Sequence, residues 1–342
     1  MKLDGLLRAL GAPVLDAEEE TFELFSQDLP SQNLGFIDSR ASTLELTVAG
    51  RDLTIHQSPG ILSSNRAGGT TGAVVWKITP PFAEWLASPS NPLFTHGVLS
   101  PSSVVVELGC GISGIVALLL APRIARYVLT DQPYVAKLVE QNLAENNNNS
   151  YQQSTTSSSA KASARGNKSP RATPTSTPRA GRSALFRPPV AARNVSRDGN
   201  ATAGRKKTTH FTPLDWETDE VTPSLTGVRE APSFDVVVAC DCIYNEALVE
   251  PFVTTCVDLC RLRGRAAAAE AEAEQALLLP CVCVVAQQLR DPLVFEAWAT
   301  RFATSFHTWR VPDEWLVPGL RSNSGFVVHV GVLKGDITLE AV

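Results

Sequence analysis

The segment that most narrows what this chain can fold into is Val104-Val-Val-Glu-Leu-Gly-Cys-Gly-Ile-Ser-Gly114, followed by Ile115-Val-Ala-Leu-Leu-Leu-Ala121. Val104–Val106 reads as a fully buried strand, glycines 109, 111 and 114 as a tight turn, and Ile115–Ala121 as an apolar helix. Strand, glycine turn and helix in that order form the ligand-binding unit of a parallel sheet. Small residues let the backbone approach a ligand, and the helix N-terminus offers free N–H groups. The downstream pattern continues the theme. Strands are predicted at Tyr127–Thr130, ending at Asp131, and at His210–Trp216, Phe234–Cys240, Leu277–Ala286, Phe306–Val311 and Phe326–Leu333. Helices are predicted at Pro133–Asn146, Ala247–Leu262 and Pro292–Phe302. Continuous apolar strands separated by helices mean an α/β fold whose parallel sheet is covered on both faces.

Upstream of the turn, residues 21–58 read as β structure. Thr43–Val48 alternates apolar and polar residues, Gly50 supplies a turn, and Leu53–His56 resumes the pattern. Thr71–Ala87 reads as a helix that Pro80 and Pro81 interrupt.

Charge is unevenly distributed. Residues 147–208 hold 12 Lys/Arg and one acid, Asp198, a balance of +11, so the remaining 280 residues carry −16. With ten Ser, seven Thr, five Pro and only Tyr151 and Phe186 as aromatics, this tract cannot bury enough apolar surface to offset the entropy of ordering it. It is predicted to be a disordered basic insertion. Without interleaved aromatics it is poorly suited to stacking on bases, so any RNA contact through it would be weak and electrostatic. The expected organisation is an N-terminal β-rich segment over 1–70, a ligand-binding domain over 71–146 and 209–342, and the insertion at 147–208.

The longest apolar runs, Gly114–Pro122 and Ala276–Ala286, are too short to span a membrane, and the acidic start lacks a signal peptide's apolar stretch. Seven cysteines, an odd number, suggest reduced thiols and a cytoplasmic setting rather than a disulfide scaffold. Cys240/Cys242 and Cys281/Cys283 are spaced too closely for the usual zinc pairs and lie in apolar runs, so no metal site is expected.

Asp131, at the end of the second strand and 20 residues after Gly111, is placed to accept hydrogen bonds from ribose hydroxyls. That suits a nicotinamide dinucleotide and S-adenosylmethionine equally. Glu107 discriminates: an acid near this turn repels a pyrophosphate and attracts a sulfonium with a free ammonium group. Asp241-Cys-Ile-Tyr244 follows the most apolar strand, at the strand ends where open α/β sheets bind ligands.

Glu107-x-Gly-x-Gly111, Asp131, Asp215-Trp216 and Asp241-x-x-Tyr244 occur in the order seen in seven-β-strand S-adenosylmethionine methyltransferases. Together with Leu34-Gly-Phe-Ile-Asp38 and Gly69-Thr-Thr-Gly-Ala-Val-Val-Trp76-Lys, the chain resembles the fungal ribosomal lysine N-methyltransferase 5 family over residues 21–146 and 209–333. The resemblance implies a Rossmann-like class I methyltransferase with a seven-stranded, mostly parallel sheet. It also implies a protein-lysine methyltransferase acting on a large-subunit ribosomal protein. The chain is expected to be a monomer. Trp76, Gly109, Cys110, Gly111, Asp131, Trp216 and Cys240 fall where that family contacts the cofactor, with Trp216 near the adenine. Asp241 would orient the incoming ammonium and Tyr244 would position the amine. Ser113 departs from the commonest glycine pattern, and 147–208 and 266–275 are insertions. Two alternatives stay open from the residues alone: a nicotinamide oxidoreductase, although no Tyr-x-x-x-Lys pair is present, and a non-catalytic module that keeps the fold.

The tract's composition yields a direct expectation. Deleting residues 150–205 leaves the melting temperature and the affinity for S-adenosylhomocysteine unchanged, by calorimetry. Loss of cofactor binding would mean that the tract folds into the site.

Overall fold

The computed structural model describes residues 2–30, 34–66, 69–159, 209–272 and 279–337. Residues 1–150 and 208–342 form one compact unit and 151–207 a second. Of the predicted insertion, 160–208 lie outside the described residues, as do 273–278 of the Ala/Glu segment.

In chain order the elements are α1 (Lys2–Leu10), α2 (Ala17–Phe25), β1 (Thr43–Val48), β2 (Arg51–His56), α3 (Pro59–Leu62), α4 (Thr79–Ala87), α5 (Pro92–Thr95), β3 (Val104–Leu108), α6 (Ile115–Leu120) and β4 (Arg126–Asp131). Then follow α7 (Ala136–Ser159), β5 (Thr209–Pro213), β6 (Val236–Cys240), α8 (Val249–Glu272), β7 (Val282–Gln288), α9 (Pro292–Ser305), β8 (Phe306–Arg310) and β9 (Phe326–Leu333). Seven strands form one sheet in the order β5-β4-β3-β6-β7-β9-β8. The β3, β4, β5, β6 and β7 pairings are parallel, and β9 runs antiparallel to both β7 and β8. This is the expected seven-stranded, mostly parallel sheet.

Period-two alternation explains why the strands are apolar throughout. Val105, Tyr127, Val236 and Val284 face one core with the α4 and α6 side chains. Val104, Val106, Val128, Val237 and Val285 face the other, with α8, α9 and Leu24 of α2.

Four expectations are corrected. Residues 1–70 are mixed rather than β-rich: the β1–β2 hairpin forms where alternation places it, but α1 and α2 precede it and Thr21–Phe25 is helical. The overlooked signal is Asp16 before three glutamates. Its carboxylate accepts the Glu18 N–H (2.8 Å), and the acids suit the helix N-terminus. Thr71–Ala87 is not one helix. A 3-10 turn at Thr71–Ala73 leads to extended Val74 and to Trp76, which bridges to Phe36, and α4 starts at Thr79. Pro80 and Pro81 sit in its first turn, where a missing N–H leaves no intrahelical bond unmade. Helix α7 continues past Asn146 to Ser159 because no glycine or proline stops it. Strand β7 starts at Val282, just past Pro280, and not at Leu279; Leu277 and Leu278 of the predicted strand lie outside the described residues.

The hairpin is tied to the sheet domain by two buried amides one turn apart on α7. Asn146 accepts the Thr54 N–H (2.9 Å) and donates to the Thr54 carbonyl (2.8 Å). Asn142 accepts the His56 N–H (2.8 Å) and donates to the carbonyls of His56 (2.9 Å) and Ile112 (2.7 Å). Residues 54 and 56 point the same way along β2, so the amides satisfy the outward backbone groups of its free edge. The Ile112 bond fastens the same joint to the glycine turn. Asn142→Ala strands three polar groups and should lower the unfolding free energy by about 3 kcal/mol in urea denaturation. The exposed neighbour Gln141→Ala should change it by under about 0.5 kcal/mol. A loss for Asn142→Ala no larger than that of Gln141→Ala would show that the bridge carries no weight.

Candidate active site

Strand β3 delivers the chain into a turn that only glycine can make at its first position. Gly109 has φ +63, and a Cβ there would lie 2.6 Å from Cys242 Sγ and 3.4 Å from the Trp216 ring. The turn is fixed from two sides. The Cys110 N–H donates to the Thr130 carbonyl of β4 (3.0 Å), and the Ile112 N–H donates to the Gly72 carbonyl (2.9 Å). Asp131, at the end of β4, accepts the Gly111 N–H on Oδ2 (2.8 Å) and the Gln132 N–H on Oδ1 (2.6 Å).

A cavity of about 490 Å³ opens at the carboxyl ends of β3, β4 and β6, closed on one side by Gly69–Trp76. Trp76, Glu107, Gly109, Cys110, Gly111, Asp131, Trp216, Cys240, Asp241 and Tyr244 all line it. The structure therefore brings every sequence-predicted site residue to one place. Among the described residues no Lys, Arg or His lines the cavity; Arg66 and Arg290 lie outside it, each with its guanidinium 4.8 Å from the ring centroid of a lining residue, Tyr134 and Trp76.

The lining is acidic. Burial pushes the Glu107 carboxyl up to about 8; the Tyr127 hydroxyl, donating at 2.8 Å, opposes the shift and the nearby Asp131 adds to it. Burial also pushes Asp131 up to about 6, against the two backbone N–H groups it accepts. Trp216 packs edge-on against Phe252 with centroids 5.3 Å apart, and its buried Nε1 has no partner among the described residues. Burial raises the Cys110, Cys240 and Cys242 thiols well above their ordinary range, so none is poised as a nucleophile. Among the described residues no cluster of three metal-binding side chains occurs.

Asp241 differs from its expected role. The notion of a carboxylate free to meet a substrate ammonium is corrected by Arg290, whose Nη1 and Nη2 reach Oδ1 (2.7 Å) and Oδ2 (2.5 Å). The Gln288 N–H also donates to Oδ1 (3.2 Å). The side chain is 1% exposed, and a carboxylate that dry needs a built-in cation. Asp241 also has φ +61, a left-handed conformation that costs a non-glycine residue about 1 kcal/mol or more.

Tyr244, by contrast, is 40% exposed and stands at the cavity mouth, where its hydroxyl accepts from Thr71 Oγ1 (3.1 Å). Trp76 forms the wall beside it. Its Nε1 donates to the Thr71 carbonyl (3.1 Å), and its ring packs against Phe36 with centroids 4.5 Å apart. The residues that sequence reasoning missed are Thr71, Tyr134 and Arg290. Thr71 lies in the Gly69–Lys77 stretch but draws no role from it, Tyr134, a lining residue, carries no pattern of its own, and Arg290 lies 49 residues from its partner Asp241.

The profile of a family described as lysine methyltransferase matches residues 55–162 and 188–274, more than half of the chain. Ribosomal lysine N-methyltransferase 5 of Zygosaccharomyces rouxii is 30% identical over 222 residues, covering 60% of this chain and 59% of that protein. The protein of the same name from Vanderwaltozyma polyspora is 25% identical over 301 residues, covering 75% of this chain and 82% of that one. A diaminohydroxyphosphoribosylamino-pyrimidine deaminase of Schizosaccharomyces pombe is 33% identical over 133 residues, covering 39% of this chain. The chain spans 32% of the deaminase and 59% of the Zygosaccharomyces protein. The His-x-Glu and Pro-Cys-x-x-Cys pattern of zinc-dependent base deaminases is missing from the sequence. On the extent of that match, which spans the glycine turn and strands β3, β4 and β6, this chain belongs to the lysine methyltransferase family.

Proposed function

We propose that this chain transfers a methyl group from S-adenosylmethionine to the side-chain amine of a lysine in a large-subunit ribosomal protein. The observation that carries the reading is a cavity lined by two carboxyls without a built-in cation, buried Glu107 and half-buried Asp131, and, among the described residues, by no basic side chain. That donor set fits a cationic nucleoside and not a dinucleotide. When bound, S-adenosylmethionine supplies a methyl group activated by its sulfonium. Glu107 would face the positive end of the ligand and Asp131 the ribose hydroxyls. Trp216 would stack near the adenine, where its unpartnered Nε1 gains a use. Gly109, Cys110 and Gly111 allow close backbone approach, and Trp76 and Cys240 also line the cavity.

The protein's remaining task is the acceptor. A free lysine has a pKa of about 10.4 and must lose a proton before its nitrogen can accept a methyl group. The Trp76 and Cys240 surfaces desolvate the ammonium and favour the neutral amine. Tyr244, at the mouth, is placed to orient that amine. Asp241 serves this arrangement from behind, through Arg290, rather than by touching the lysine. The ribosomal substrate rests on the relatives' names, and a cytoplasmic location follows from it. Among the described residues no helix is long and apolar enough to cross a membrane.

Incubating the protein with radiolabelled S-adenosylmethionine and ribosomes lacking this modification should label a lysine of one large-subunit protein. Label confined to RNA, or none, would sink the assignment. Asp131→Ala should weaken S-adenosylhomocysteine by at least about tenfold while leaving the fold intact, the scale of one lost charge-assisted hydrogen bond. Unchanged affinity would remove Asp131 from the site.

Glu107 makes a pH-dependent case. With its carboxyl at about 8 in the free protein, it is protonated at pH 7, and a cation in the cavity favours the ionised form. Binding S-adenosylmethionine at pH 7 should therefore release a proton, and affinity should rise between pH 6 and pH 8. Titration calorimetry in two buffers of different ionisation enthalpy measures the release. Glu107→Gln should abolish it, and equal proton release from that variant would assign it to another group.

A further inference from the structure

Arg290 does not line the cavity, yet its guanidinium gathers the pieces that frame the cavity's mouth. It lies two residues beyond the end of β7 and grips both oxygens of Asp241. Its Nη2 also donates to Gln288 Oε1 (2.8 Å), and its flat face covers Trp76, 4.8 Å from the ring centroid. Gly35 closes the outer side at φ +91, in a space where a Cβ would collide with Gln288 Oε1 and Arg290 Nη2. The same strap is paired to the cavity wall, because the Lys77 N–H donates to the Gly35 carbonyl (2.8 Å).

These contacts form a closed ring. Arg290 holds Asp241, and Asp241 begins the loop that carries Tyr244. Tyr244 meets the Thr71 hydroxyl, the Thr71 carbonyl holds the Trp76 indole, and Trp76 lies under Arg290. Stability alone does not call for such a pair, since buried ion pairs are commonly replaceable by apolar residues without loss. Geometry does call for it. A guanidinium is the one side chain that forks onto a carboxylate while stacking on an indole. Asp241 needs an external hold to keep φ +61, and its own N–H donates to the Ala286 carbonyl of β7 (2.7 Å).

We propose that Arg290 is a positioning residue. By clamping Asp241 and Trp76 together, it fixes Tyr244 and the Trp76 wall in register across the mouth, without itself holding the cofactor. This rests on the reading of the cavity as a methyl-transfer site.

The test compares wild type, Arg290→Met and Arg290→Lys. Three quantities are measured on the full chain: S-adenosylhomocysteine affinity, backbone hydrogen exchange over residues 242–246, and steady-state methyl transfer to ribosomes. In Arg290→Met, affinity should stay within about threefold of wild type, exchange over 242–246 should quicken, and kcat should fall by about 100-fold with a smaller change in KM. That loss is the scale expected when reacting groups are misplaced by about 1 Å. Arg290→Lys should recover only a minor part of kcat, because an ammonium cannot fork. If Arg290→Met fails to fold, Asp241→Asn provides the same readings, since asparagine tolerates the left-handed backbone. Unaltered exchange over 242–246, or cofactor affinity falling in step with kcat, would overturn the proposal. If wild type labels no ribosomal protein, the proposed substrate falls, while exchange and cofactor affinity still decide the role of Arg290.

Discussion

The site depends on one topological constraint: strand order reverses at β3. The chain leaves β3 to build β4 and β5 on one side, then returns to lay β6, β7, β9 and β8 on the other. The connections after β3 and β6 therefore diverge and leave a crevice at the strands' carboxyl ends. Everything that makes the crevice chemical is at those ends: Glu107 near the end of β3, Asp131 closing β4, and Asp241 one residue past β6. Both sheet faces are buried under side chains from α4, α6, α8 and α9, so the strand ends are where a ligand can meet the sheet's backbone.

A crevice is not yet a cavity, and the elements before the sheet complete it. Gln57, just past β2, donates to the carbonyls of Asp38 and Ala41 (both 2.5 Å) and accepts the Val75 N–H (3.1 Å). The Ser58 N–H donates to the Ala73 carbonyl (2.9 Å). These bonds set the segment from Gly69 to Trp76 against the glycine turn, where the Gly72 carbonyl receives Ile112. The hairpin itself is anchored by the Asn142 and Asn146 amides. A chain of backbone satisfaction thus runs from α7 through β2 to the cavity wall, and the apolar burial of Leu53 and Ile55 holds the hairpin against the same core.

The sheet strands and the glycine turn were legible because their signals are local: apolar runs with period two, and glycines where φ must be positive. So was the convergence of Glu107, Asp131 and Asp241, since strand ends of a parallel sheet share one edge. What stayed hidden depended on partners distant in sequence. Trp76 looked helical because Val74, Val75 and Ile78 match a helical spacing, and only the pairing with Phe36 pulls it into extended form. Helices α1 and α2 were missed because α2's short apolar set is split by acids, one of which, Glu20, is buried against His329 (2.9 Å). Asp241 looked available because nothing near it in sequence is basic. Its cation arrives from β7, a strand away.

That misreading points to a way of sorting the three acids at the strand ends. Glu107 and Asp241 are buried and Asp131 is half-buried, and an ionised carboxylate drawn out of water must find positive charge or become neutral. Asp241 has found it: Arg290 is its permanent partner, and the pair belongs to the frame. Among the described residues Glu107 has only the Tyr127 hydroxyl, and Asp131 only two backbone N–H groups. Neutral donors do not compensate for burial, which is why both carboxyls rise above their ordinary range. The sequence writes all three as acids after apolar strands. The partner tells them apart: Asp241 carries a built-in cation and belongs to the frame, whereas Glu107 and Asp131, held by neutral donors alone among the described residues, are the two carboxyls left to face the cavity.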